Sequence, residues 1–167
     1  LPEGEVRRIA SYFAPSDLPG RAPRDEAVAE RRASDAAFAN WYRNNVLPHR
    51  VPGYASAVIS LKEPGRTPGD ASSDTMDLVA DLAERYGHDE IRVNYTQNLV
   101  LPHVALADIP ALYDALAEAG LAVGNNELLG DMICCPGLDY CNLANARSIP
   151  IAKEIAKKFE DPARQDE

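Results

Sequence analysis

The chain has 167 residues, of which 46% are hydrophobic and 26% charged, as expected for one ordinary globular domain. No stretch is long and apolar enough to predict a transmembrane helix, and no secretory signal pattern opens the sequence. The net charge of −9 is concentrated in residues 51–133, which hold thirteen acidic and four basic side chains. This acidic stretch disfavours electrostatic binding of nucleic acid.

Residues 1–45 predict a helical arm or linker. A first short helix carries an apolar stripe that ends at Phe13, and the turn-rich sequence APSDLPGRAP interrupts it. A second helix is predicted from Ala27 to Tyr42, where Phe38, Trp41 and Tyr42 form an aromatic cluster.

The sequence changes to a β pattern after residue 50. Apolar residues at 54–61 predict a strand, which the preceding Pro52-Gly53 turn opens. After a polar loop, apolar residues recur at helical spacing, with Ser73 as the predicted N-cap and Gly87 as the predicted end of the helix.

Two further strands are predicted at residues 91–94 and 99–101, separated by a polar Thr96-Gln97-Asn98 corner. Asp108 is predicted to cap the next helix, and Gly120 to end it. The order β-α-β-β-α predicts an α+β fold, a ferredoxin-like half-domain over residues 46–128 with helices on one face of its sheet. Loop signals at residues 124–126 and 130–131 interrupt the segment after residue 120, so the pattern does not decide whether a final strand follows there.

Three cysteines at positions 134, 135 and 141 lie within eight residues of one another, a clustered, odd count that does not resemble a disulfide framework. A reducing, cytoplasmic setting fits this pattern. Thiolates bind soft metals, and Pro136-Gly137 can turn the chain between Cys135 and Cys141, which makes these two the candidate ligands. The spacing alone is a weak signal, because paired intracellular cysteines can also be inert and buried. Cys134 is predicted to lie in the core.

The remaining predictions concern the C-terminal segment and the histidines. Residues 142–159 are predicted to be helical, with a break or kink at Pro150 and Ser148 able to cap a second helix. His49 and His103 are predicted to cap or pack, and His88 to lie on the surface.

Three segments resemble the siroheme-dependent sulfite and nitrite reductases. Residues 120–155 resemble the family's first cysteine motif, in which two cysteines five residues apart precede a helix of small and apolar residues. Residues 91–121 resemble the R-x-T-x-x-Q-N-L segment that precedes it, with Asn94 where threonine is usual. Residues 44–62 resemble the entry to the second ferredoxin-like half-domain.

The resemblance implies six-electron reduction of sulfite to sulfide or of nitrite to ammonia, with siroheme and a 4Fe-4S cluster as cofactors. It implies that Cys135 and Cys141 are cluster ligands, and that Arg92, Gln97 and Asn98 face or buttress the cofactor cleft. The implied partners are the remainder of the same reductase chain, a ferredoxin or flavoprotein donor, and sulfite or nitrite.

The family completes its cluster with a C-x3-C motif, which this sequence lacks. The resemblance therefore implies an inactive fragment without its cofactors, in which residues 129–167 begin the 4Fe-4S/siroheme-binding domain. It also predicts an open, partly apolar face. One alternative is a stand-alone α+β binding module with inert or regulatory cysteines and a closed polar surface. Another is a structural zinc site that uses Cys135 and Cys141, with His103 as a candidate further ligand, within one chain or shared between chains.

Overall fold

The structure is a computed structural model that describes residues 1–12, 17–21 and 25–159. Phe13, half of the predicted break after it (residues 14–16, 22 and 23), and the polar tail after Phe159 lie outside the described residues. The described helices are α1 (Glu3–Ser11), α2 (Glu26–Ser34), α3 (Ala36–Asn45), α4 (Ser73–Tyr86), α5 (Ile109–Glu118) and α6 (Ser148–Lys158). The described strands are β1 (Val46–Pro48), β2 (Tyr54–Ile59), β3 (Arg92–Val93) and β4 (Leu99–Ala105).

The four strands form one antiparallel sheet in the order β1-β2-β4-β3. The central pair is β2 and β4, which align Ala57 with Leu101 and Ile59 with Leu99 around a bulge near Ala55. From β2 to α5 the elements follow the predicted order β-α-β-β-α, which confirms the α+β fold class. Strand β2 is mostly buried, as its run of small and apolar residues requires.

The core lies between the sheet and helices α2 to α5. It is centred on apolar residues of β2 and β4 together with inward-facing residues of the helices. Phe38 and Trp41 of α3 are fully buried, and the Phe38 ring meets the Tyr113 ring edge-on with centroids 5.1 Å apart. Helix α3 therefore belongs to the core, whereas α1 buries none of its residues.

The predicted helix from Ala27 to Tyr42 is in fact two helices. Asp35 adopts an extended backbone conformation, with φ −129° and ψ 103°, and this ends α2. Its side chain then accepts a hydrogen bond from the backbone N–H of Phe38, so Asp35 is the N-cap of α3. The sequence pattern missed this break because the apolar spacing continues across it.

Three predicted helix starts differ from the structure. Ser72, not Ser73, is the N-cap of α4 and accepts from Thr75 N–H. Asp108 makes no side-chain cap because a 3₁₀ turn already gives it a helical backbone. Helix α6 begins at Ser148 rather than near residue 142; its N-cap is Arg147, and Pro150 fits its first turn without breaking it.

Among the described residues, no helix has both the length and the apolar character needed to span a membrane. The longest described helix, α4, has 14 residues and is amphipathic, with Val79, Leu82 and Ala83 buried against the sheet.

We expect Phe38→Ala to lower the free energy of unfolding by about 3–5 kcal/mol, because it removes a fully buried ring and leaves a cavity. Urea denaturation measures the change. The matched control is Tyr12→Ala, which removes a ring that is 72% exposed at the end of α1 and should change stability by no more than about 0.5 kcal/mol. Equal losses in the two variants would contradict the placement of α3 in the core.

Candidate functional site

The loop from Cys135 to Cys141 is a closed turn. The backbone carbonyl of Gly137 accepts hydrogen bonds from Tyr140 N–H and Cys141 N–H, the latter at 2.8 Å. Gly137 has φ +60°, and a Cβ there would lie 2.7 Å from the carbonyl oxygen of Ala146. The expected turn after the first cysteine is therefore present, and it requires glycine on steric grounds.

The two candidate ligands differ from Cys134 in their environment. All three thiols are free; Cys135 is exposed and Cys141 is partly exposed. Cys134 is only 6% exposed and packs with Ile149 and Ala152 of α6, which confirms the prediction that it is a core residue. Burial raises the pKa of the Cys134 thiol, and the neighbouring Cys135 adds to the effect.

Gln97 lies at the predicted corner and reaches the cysteine segment. Its side-chain Nε2 donates to the carbonyl of Cys134 at 3.2 Å, and its Oε1 accepts from Cys134 N–H at 3.1 Å. The residue has φ +61°, a conformation that non-glycine residues rarely adopt. Gln97 thus fixes both backbone groups of the residue immediately before Cys135.

Asn98 is fully buried and its side chain is fully used. Its Oδ1 accepts from Leu61 N–H at 3.0 Å and from Lys62 Nζ at 2.8 Å. Its Nδ2 donates to Asp131 Oδ1 at 2.8 Å and to Thr96 Oγ1 at 3.2 Å. Two acceptor and two donor positions are the whole capacity of an amide, so Asn98 supports the site from within.

The structure contains a buried ion pair beside Asn98 that the sequence analysis did not predict. Lys62 Nζ lies 2.8 Å from Asp131 Oδ1, and the two side chains are 2% and 1% exposed. Lys62 Nζ also donates to the carbonyl of Thr96, and Glu127 N–H donates to Asp131 Oδ2 at 3.0 Å. The sequence signal for it is a lysine directly after the apolar run of residues 54–61.

Arg92 lies on the edge strand β3, away from this network. Its Nε donates to Glu90 Oε1 at 2.6 Å, and its side chain is more than half exposed. The sequence predicted either this kind of acidic neighbour or a cofactor carboxylate, and the described contact is with the acid. The structure therefore joins Gln97 and Asn98 to the cysteine segment but does not bring Arg92 to it.

His49 and His103 form a hydrogen-bonded pair at the other end of β4. Val51 N–H donates to His49 Nδ1 at 2.9 Å, and the other ring nitrogen of His49 is Nε2. That nitrogen lies 3.0 Å from His103 Nδ1, and His103 Nε2 lies 3.2 Å from Glu90 Oε2. Burial lowers the pKa of His103 more than the Glu90 carboxylate raises it, with His49 and Arg92 adding to the decrease.

A surface hollow of about 300 Å³ lies beside the cysteine loop. It shares Thr67, Tyr140 and Ile149 with a second hollow that extends along α6. Large apolar side chains around this part of the molecule are exposed, including Leu143 at 91%, Tyr140 at 74% and Ile151 at 60%. The exposed face is open and partly apolar rather than closed and polar.

The described residues contain no group of three or more His, Cys, Asp or Glu side chains placed to hold a metal ion. His103 is not placed beside the two cysteines for the zinc alternative, because its ring nitrogens engage His49 and Glu90; a zinc site shared between chains stays a prediction. The two thiols of the loop still fit part of a larger thiolate set, since both are accessible.

The half-domain matches known proteins. Residues 64–119, from the loop before α4 to the end of α5, match the family model of the nitrite/sulfite reductase ferredoxin-like half domain. The chain thus contains a ferredoxin-like half domain of the nitrite/sulfite reductase family. It is 31% identical over 158 residues to the chloroplastic ferredoxin–nitrite reductase of Zea mays, an alignment that covers 88% of this chain and 26% of the relative.

Two more relatives are also named ferredoxin–nitrite reductases. The ferredoxin–nitrite reductase of Synechococcus elongatus is 33% identical over 91 residues, which is 50% of this chain and 17% of the relative. The chloroplastic enzyme of Spinacia oleracea is 26% identical over 141 residues, which is 79% of this chain and 23% of the relative. The chain thus spans about a quarter or less of the length of these relatives.

We expect the free energy of unfolding to decrease as the pH is lowered from about 7.5 to about 5.5. The pKa of His103 lies below its ordinary value of 6.5 in the folded state, so the unfolded chain binds more protons as the pH falls through this range. Urea midpoints measured across the range should decrease, and His103→Gln should reduce that decrease. His88→Gln, a change at an exposed residue, is the control. Equal pH dependence in wild type and His103→Gln would contradict the assignment.

We expect iodoacetamide to modify Cys135 and Cys141 in the folded protein, and Cys134 at least about tenfold more slowly. The reason is that Cys134 is buried and burial raises the pKa of its thiol, whereas Cys135 is exposed and Cys141 is partly exposed. Tandem mass spectrometry of the digested protein assigns each site. In denaturant the three rates should converge, which is the control; a Cys134 rate in the folded protein equal to that of Cys135 would contradict the placement.

Proposed function

We propose that this chain is part of a siroheme- and 4Fe-4S-dependent reductase that converts nitrite to ammonia. Cys135 and Cys141 supply two of the four thiolates that hold the cluster. The observation that carries the proposal is an accessible C-x5-C loop fastened to a half-domain of the nitrite/sulfite reductase family. The open apolar face beside the loop further supports a chain that packs against more protein.

The donor set favours an iron–sulfur cluster over other uses of the cysteines. Cluster ligation needs thiolates that can reach the metal, and Cys135 and Cys141 are accessible while Cys134 is buried. When bound, the cluster and siroheme would supply the one-electron transfers that a six-electron reduction needs.

The other residues act through position and charge. Gln97 binds the backbone of Cys134, the residue before Cys135. The adjacent Asn98 is buried and donates to Asp131 in the cysteine segment. We propose that Gln97 faces the cofactor cleft with its exposed part. Arg92 carries an exposed guanidinium bonded to Glu90, and a cofactor carboxylate is a competing partner for it.

The relatives are named ferredoxin–nitrite reductases, which favours nitrite as the substrate and ferredoxin as the electron donor. Sulfite and a flavoprotein donor are the runner-up pair. Residues 51–133 carry thirteen acidic and four basic side chains, so an acidic donor would dock on another part of the full protein. We propose a cytoplasmic location, while the relatives from Zea mays and Spinacia oleracea are named chloroplastic.

The proposed layout has a helical arm at residues 1–45, whose helices α2 and α3 pack against the half-domain at 46–128. The start of the 4Fe-4S/siroheme-binding domain follows at 129–167. These 167 residues hold two of the four thiolates and no C-x3-C motif. Affinity for a cluster depends on a completed ligand set, so the chain by itself should be inactive and free of cofactor.

The test is anaerobic expression of the full gene product that contains these residues, followed by iron analysis and a visible spectrum. Cys135→Ser and Cys141→Ser should each abolish cluster content, because serine does not replace a cluster thiolate. Cys134→Ser is the matched control and should retain iron, since that side chain is buried in the protein.

A colourless, iron-free product after reconstitution with siroheme, iron and sulfide would overturn the proposal and favour the stand-alone binding module. Turnover of nitrite against sulfite with reduced methyl viologen as the donor distinguishes the two substrates. Higher kcat/KM for sulfite would overturn the choice of nitrite while leaving the reductase assignment in place.

A further inference from the structure

The buried pair of Lys62 and Asp131 joins the half-domain to the cysteine segment, which we define as residues 127–141. Lys62 follows strand β2, and Asp131 ends a 3₁₀ turn that lies just before the cysteines. The two residues are 69 positions apart in the sequence, yet their charged atoms are 2.8 Å apart and almost fully excluded from water.

The hydrogen bonds that the two groups make are directional and lie within the protein, and they satisfy all three N–H groups of the ammonium. The Lys62 ammonium has three acceptors, which are Asp131 Oδ1, Asn98 Oδ1 and the Thr96 carbonyl. Asp131 accepts from Lys62 and Asn98 on one oxygen and from Glu127 N–H on the other. Burial of two charges is costly, and an apolar pair of similar volume gives equal or greater stability in many proteins. A pair of this kind can therefore specify geometry without adding net stability.

A second contact fixes the segment three residues further on. Gln97 binds both backbone groups of Cys134, and Gln97 lies next to Asn98 on the same corner of the sheet. One corner of the half-domain thus holds the cysteine segment at two points. Since Cys135 directly follows the second point, the position of its thiol depends on both.

We propose that Lys62 is a positioning residue for the cysteine segment, and that its bonds to Asp131 and Asn98 set where Cys135 leaves the half-domain. The inference rests on the proposed function only in taking Cys135 as a cluster ligand. The positioning itself is a property of this chain and is measurable without any cofactor.

The experiment uses Cys134 as a reporter of docking, because it is 6% exposed where the segment packs against Gln97 and α6. In a background of Cys135→Ser with Cys141→Ser, Cys134 is the only thiol, and its reaction with Ellman's reagent gives one rate. We expect Lys62→Met to raise this rate at least about tenfold through local opening of the segment. Hydrogen exchange of the β2 and β4 amides should stay at the wild-type level.

Two further variants separate position from stability. Arg66→Met removes an exposed positive charge that is paired with Glu63, and it should leave the reaction rate of the Cys134 thiol unchanged. Lys62→Met combined with Asp131→Leu leaves no unpaired buried charge and should retain the fold, yet it lacks the directional bonds. The Cys134 thiol should therefore still react faster in the double variant than in wild type. If Lys62→Met alone does not fold, the double variant replaces it in the experiment.

An unchanged Cys134 rate in the double variant would overturn the inference, because any buried filler would then suffice. Parallel loss of protection in β2 and β4 would overturn it too, since the pair would then simply stabilise the fold. The full gene product supplies the second readout: Lys62→Met should lower its iron content after reconstitution. If the wild-type product takes up no iron, the proposed function fails while the Cys134 result still stands.

Discussion

The hydrogen bonds of the Asn98 side chain are the interaction on which the rest of the structure depends. It is buried, and its four hydrogen bonds link the end of β2, the start of β4 and the cysteine segment. A buried amide left with an unpaired group costs stability, so each of these partners is fixed by the others. The corner stays closed because Asn94 Oδ1 accepts both Asn98 N–H and the Thr96 hydroxyl.

This linkage matters because the cysteine segment has little core of its own. The buried cluster on that side consists of Cys134, Ile149 and Ala152, with Met132 packed against it. The half-domain, by contrast, has a continuous core between its sheet and helices, anchored by the fully buried Phe38 and Trp41. The segment that bears the candidate ligands is therefore ordered chiefly by polar contacts with a rigid neighbour. Such contacts define position well, while apolar packing supplies the stability.

The elements of the half-domain could be predicted from the sequence because their apolar residues repeat at the periods of strands and helices. Helix ends were less predictable: Ser72 and Asp35 act as caps through backbone conformations that a pattern of residue types does not specify. The chemistry of the cysteines was visible because few residue types bind soft metals. Their roles as ligands stay a prediction, as do those of Arg92, Gln97 and Asn98.

The sequence by itself determined the α+β order, the family resemblance and the choice of Cys135 and Cys141 as candidate ligands, since these depend on local periodicity and residue type. Only the tertiary structure decided that Lys62 and Asp131 form a buried pair, and that Gln97 holds Cys134. A lysine or an aspartate in a sequence is most simply interpreted as a surface residue. Whether it is buried depends on a partner that the fold brings from 69 positions away, and this information is absent from local patterns.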